Sequence, residues 1–237
     1  CIAVPLPPSF AEPVERAVLE LPKPSIVLQK PTSAFKSSDQ WGDLEWNENN
    51  QSDEEADDDV DSTTVSYVPV DPCQSVIMAI RAAMGEHIPR AYIDLETDDF
   101  RPFATVMPDP FAVRHVSPEK FAAAVLPRIT RPPDQQTRAR MVHMAARLCE
   151  LEKHHEKILL VTSVLHWPWI REAYHQIKNG RDSDQGASGE LILPEHEETT
   201  DPIGYSIDQR TLMFLFGELP FITNLYERAR AELEEDD

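Results

Sequence analysis

The sequence predicts an α/β fold, a parallel or mixed central sheet flanked by helices and interrupted by acidic disordered insertions. Short aliphatic runs, SIVLQ at Ser25–Gln29, RAYIDL at Arg90–Leu95 and KILLVT at Lys157–Thr162, alternate with helical stripes. Strands separated by helices of that length imply parallel pairing through crossovers. The chain has 237 residues and 41% apolar content, enough for one core, and no apolar run is long enough to span a membrane. Its net charge of −20 is local: Asp39–Asp61 holds 11 acids and no base, Asp182–Asp201 holds 7 and no base, and Glu232–Asp237 holds 5. With those 23 set aside, 19 acids face 22 bases, and the body is nearly neutral.

Each element has a local cause. Ser9–Leu21 carries Phe10, Val14, Ala17, Val18 and Leu21 on one stripe, with Ser9 as its N-cap and Glu12 three residues later. Ser25–Gln29 reads as a buried strand and Thr63–Val70 as an extended segment ending near a proline. Asp71–His87 reads as a helix capped by Asp71 with Pro72 at its first position. Arg90–Leu95 is a strand. Ser117 caps a helix with Pro118 at its start, running to about Leu126. Asp134–His155 is the longest helical stretch, with Met141, Met144, Ala145, Leu148 and Leu151 on one side. Lys157–Thr162 is the most hydrophobic strand, Trp167–Lys178 a helix, and Asp208–Phe216 with Pro220–Leu233 a terminal helical pair. The expected organisation is one α/β domain over 1–237, with acidic flexible segments at 36–62 and 180–202 and a helical segment at 208–237. The chain opens on Cys1 and not on Met, which reads as a fragment of a longer protein.

Several function classes drop out. No basic stripe emerges to neutralise phosphates, so nucleic acid is not an expected partner. GxGxxG, GxxxxGKS, GxSxG and HExxH are all absent, and 7 glycines do not build a phosphate cradle. Cys1, Cys73 and Cys149 form neither a disulfide framework nor a CxxC pattern; they fit a reducing compartment and a cytoplasmic location. The acidic runs lack the DxDxDG spacing of a calcium loop and read as solvated loops.

Chemistry in an open parallel sheet gathers beyond the carboxyl ends of its strands. The residues there are Gln29, Asp94 with Glu96, and Ser163 with His166. Asp94, Glu96 and His166 are the candidate metal ligands or acid/base groups, since carboxylate and neutral imidazole hold divalent ions. The plain alternative for His166 is a histidine packed beside Trp167 and Trp169. For Asp94 it is a carboxylate held by an arginine or a helix N-terminus. His154 and His155, adjacent on a helix, point about 100° apart and do not share an ion easily.

The stretch Arg138–Ile170 resembles the signature of the TraB/ChaN/Tiki-like superfamily, in which a helix bearing Arg and Met-Ala leads into a strand ending in Gly-x-x-His. Arg140, Met144-Ala145 and His166 match, and Ser163 stands at the glycine position. AYIDLE resembles the family strand that delivers an Asp, here Asp94, and Ser9–Lys30 resembles its opening helix and strand. The resemblance implies catalytic roles for Asp94, Arg140 and His166 and metal ligation by Asp94, Glu96 and His166. Two positions depart from it. VPLPP holds no histidine, and Gln29 stands where the family has Glu, an amide in place of an anionic ligand.

The expected function is therefore a catalytically degenerate domain of this type, a binding or interaction module in a larger bacterial-type protein. It needs no cofactor, and its partner is another protein or a neighbouring domain of the parent chain. The rival is a metal-dependent hydrolase, peptidase or esterase-like, using manganese, cobalt or zinc in a rearranged Asp/His site. A third reading makes the acidic runs a docking segment for a basic partner.

Overall fold

The computed structural model describes residues 1–32, 65–103, 115–182 and 194–208. The acidic segment expected at 36–62, the middle of the one at 180–202, and all of the terminal helical pair except Asp208 lie outside the described residues.

The α/β architecture holds, with two sheets where one was expected. Sheet A is parallel, in the order β4 (Arg90–Tyr92), β1 (Ile2–Val4), β5 (Leu159–Leu160). Sheet B is antiparallel, in the order β3 (Ser66–Val70), β2 (Ser25–Gln29), β6 (Ile203–Ser206). SIVLQ is therefore a buried strand, as its composition demands, but it pairs with antiparallel neighbours and joins no crossover sheet. The parallel arrangement expected of AYIDL and KILLV is present, with β1 between them.

The pleat of β1 divides the interior in two. Ile2 and Val4 point into a cluster formed with α1 (Ala11–Leu19), α2 (Ser75–Gly85) and the inner residues Val27 and Val70 of sheet B. Ala3, one residue between them, points to the opposite face and packs with α4 (Gln135–Leu151) and α5 (Trp167–Asp182). Alternation of side chains along a strand produces this split, and Ala3 leaves room for Met141 and Met144 above it. On the other side, Glu15 of α1 accepts from Arg90 Nε (2.7 Å) and Nη2 (3.1 Å) and from the Tyr92 hydroxyl (3.3 Å), tying α1 to β4.

One of the three expected caps forms as read, and Asp134 supplies a cap that was not assigned from sequence. Ser117 accepts from the Lys120 amide at the start of α3 (Pro118–Val125), and Asp134 accepts from Thr137 N at 2.6 Å before α4. The other two expected caps do not form. Pro8–Phe10 make a 3-10 turn before α1, and Ser9 bonds elsewhere. α2 starts at Ser75, because Asp71 instead closes a turn, accepting from Cys73 N at 2.7 Å. Among the described residues no helix is long and apolar enough to cross a membrane.

α2 ends with His87 in the left-handed region, φ 55°, where Ile88 N reaches back to Ala83 O at 2.8 Å. A side chain there crowds its own backbone, and glycine is the usual occupant of such a helix end. His87→Gly should raise stability by about 0.5–1 kcal/mol, the crowding relieved less the entropy glycine loses on folding. An unchanged or lower urea midpoint would count against it.

Candidate functional site

The strands of sheet A end together, and the three segments that leave them stay in contact. Ile93 N donates to Val4 O (3.1 Å), Asp94 N to Leu6 O (3.1 Å) and Val161 N to Ala3 O (3.0 Å). Of the strand ends expected on one rim, those after Arg90–Tyr92 and Leu159–Leu160 thus leave the same sheet, whereas Gln29 ends a strand of sheet B.

Asp94 lies two residues past β4, with its side chain 2% exposed. Arg140, on the sheet-facing side of α4, meets it edge to edge, Nε to Oδ1 at 3.0 Å and Nη2 to Oδ2 at 2.5 Å. Leu95 N adds a third bond, to Oδ1 at 2.8 Å. The Phe100 ring closes over the guanidinium, 4.6 Å from Cζ to ring centroid. Two of the three expected catalytic residues are therefore brought together, as a buried bidentate pair with fork geometry on both sides.

Glu96 is turned away from them. Its Oε1 accepts from Ser9 N and its Oε2 from Ser9 Oγ, both at 2.8 Å. The serine read as a helix cap thus clamps the loop after β1 to the loop after β4. His166 stands just before α5, its ring stacked 6.4 Å from Phe103. Its Nε2 is buried without a hydrogen-bond partner. Burial, and then the positive charge of Arg140, hold its pKa below the usual histidine value, with Asp94 and Asp134 pulling the other way. Among the described residues no three His, Cys, Asp or Glu side chains gather closely enough to hold a metal ion. Asp94, Glu96 and His166, as placed, do not form a ligand set.

A strap that the sequence did not announce crosses this rim. Glu96 N donates to His196 Nδ1 (3.1 Å), Glu197 N to Glu96 O (3.1 Å) and Asp98 N to Glu197 Oε2 (2.7 Å). Gln29 Nε2 donates to Thr200 O at 2.9 Å, and Thr200 Oγ1 to Lys30 O. His196 meets the edge of His143, with ring centroids 4.6 Å apart. His143 is 8% exposed and its Nε2 has no hydrogen-bond partner. It follows Arg140 by three residues on α4, a spacing that places both on neighbouring parts of one helix face and marks His143 from sequence. His196 sits in an acidic run with no such signal.

Between the loop after β1, the strand β3 and the loop after β4 lies a cavity of about 160 Å³. Leu6, Phe10, Val68 and Phe100 form its apolar walls, and Gln29 and the Asp94–Arg140 pair its polar end. Two larger hollows, between α1 and β6 and between α4, α5 and β5, contain none of the expected site residues.

Removing one partner of a buried ion pair strands the other, so Asp94→Asn or Arg140→Met should each cost about 3–5 kcal/mol, and the double replacement much less than their sum. Urea unfolding of the three variants measures the coupling, and single losses under about 1 kcal/mol would contradict it. For His143 and His166 the folded pKa lies below the unfolded one, so their neutral forms stabilise the fold fully above about pH 6.5. That stability is lost as pH falls below 6.5 toward their folded values. Thermal midpoints from pH 7.5 to 5 should drop, and His143→Gln should flatten the drop; an equal drop in the variant would exclude His143 as its source. Compared with protein-family models, with curated proteins and with solved structures, the chain matches none.

Proposed function

We propose that this chain works by binding rather than by catalysis, as a degenerate domain of the TraB/ChaN/Tiki-like type within a longer bacterial-type protein. The observation that carries the reading is the closed Asp94–Arg140 pair at the end of the cavity. A general base or anionic ligand needs a carboxylate whose charge is available. Asp94 spends both oxygens on Arg140 and Leu95, and Glu96 spends both on Ser9. Gln29 offers an amide that is itself engaged in holding the strap. What remains is a small apolar pocket with a fixed polar end, the usual form of a recognition site. A dry apolar cavity of about 150 Å³ accepts a benzene-sized group, so the occupant we assign is one aromatic or branched aliphatic side chain of a protein partner or neighbouring domain.

The rival, a metal-dependent hydrolase, draws on the unpartnered Nε2 of a neutral His166. One titration series separates them. Phenol followed by amide NMR should move Leu6, Gln29, Thr97 and Phe100 saturably, and Leu6→Trp, which fills the cavity, should abolish the shifts. Absence of saturable shifts at those amides would defeat the binding reading. So would stoichiometric manganese, cobalt or zinc binding below about 10 μM, roughly 7 kcal/mol, that disappears in His166→Ala.

A further inference from the structure

Sheet B presents one face to the core and an apolar face away from it. Its register sets Ile26 opposite Pro69 and Tyr205, and Leu28 opposite Tyr67 and Ile203. Residues directly opposite in neighbouring strands share a face, so these six side chains form one surface. Val27 and Val68 lie on the reverse side and pack with α1 and α2. None of the six outer residues belongs to either core cluster. On the central strand Ile26 is buried, 8% exposed, and Leu28 is half-buried, whereas Tyr67 is 56% exposed, Ile203 54% and Tyr205 42%; none of the six is charged. A contiguous apolar sheet face of this kind is a surface that layered packing ordinarily covers.

We propose that the covering element is the C-terminal segment Gly217–Leu233 of the same chain. β6 forms an edge of this face and ends at Ser206; 29 residues follow Asp208. Residues 209–216, extended, reach about 27 Å, whereas three strands at about 4.8 Å spacing are only about 10 Å across. The chain therefore leaves sheet B beside the face and has ample length to turn back over it. Pro220–Leu233, read as a helix, is about 21 Å long, enough to cross the sheet. Phe221, Ile222, Leu225, Tyr226 and Ala229 recur at helical spacing, with Glu227, Arg228 and Arg230 on the other side. An uncharged sheet face thus meets the apolar stripe of a segment whose charges stay in water.

The test uses the full chain at low concentration, with a photoreactive phenylalanine analogue replacing Tyr67 or Tyr205 in turn. Both side chains are exposed, so neither replacement threatens folding. Within-chain crosslinks from both positions into residues 219–233 are expected, reduced at least about fivefold by Leu225→Asp. In that variant, hydrogen exchange at Gly204–Ser206 should quicken about tenfold while Ile2–Val4 stays unchanged. Crosslinks between two copies, crosslinks into residues 33–64, or none would overturn the proposal. So would β6 exchange unaffected by Leu225→Asp.

Discussion

A carboxylate 2% exposed at the end of a strand is tolerable only with a cation in contact, and Arg140 is that cation. The consequence is architectural. Asp94 is tied through its backbone to the loop after β1 and through its side chain to α4, so one residue fastens sheet A to its helical layer. The attraction between the two charges offsets the loss of their hydration only while the fork geometry holds. Phe100 covers the guanidinium on one face. The pair sets the orientation of α4, and with it the positions of Thr137 and His143.

The second fastening is made of neutral or singly charged bonds and is correspondingly more open to exchange. Ser9 with Glu96, Thr32 with Asp98 and Gln29 with Thr200 join the β1 loop, the end of β2, the β4 loop and the strap. Gln29 is instructive here. Its donor is the amide nitrogen and its partner is a carbonyl, so a glutamate at this buried position would set acceptor against acceptor. The amide has a structural duty of its own, separate from what it withholds from acid/base chemistry.

Sequence reading recovers elements whose signal is local. The stripes of α1 and α4, the Ser117 cap and the buried character of SIVLQ were all legible. β1 was missed because three residues in a proline-rich stretch carry almost no periodicity; it is a strand because β4 and β5 flank it. β6 was missed for a like reason, and its pairing with β2 spans most of the chain. The antiparallel pairing of SIVLQ was illegible because a run buried on both sides reads the same in either kind of sheet. In the site, Asp94 was found from its strand end and Arg140 only through the family resemblance, and the plain alternative, an arginine holding the aspartate, is what the structure contains. Ser9 was misassigned because a hydroxyl before a helix scores as a cap unless a distant carboxylate takes it, and nothing in the local spacing announces Glu96.

These assignments bear on where recognition sits. The Asp94–Arg140 end of the cavity is electrically closed, so attraction at long range is weak and selectivity there must come from shape. On the proposed binding reading, long-range attraction would fall to the acidic runs, which lie elsewhere in the sequence from every residue lining that cavity. Salt would therefore separate the two contributions: an encounter governed by the acidic runs weakens with ionic strength, while insertion of an apolar group into the cavity does not. On the proposed binding reading, discrimination would come from the shape of this pocket, since the carboxylate at its end is already committed to Arg140.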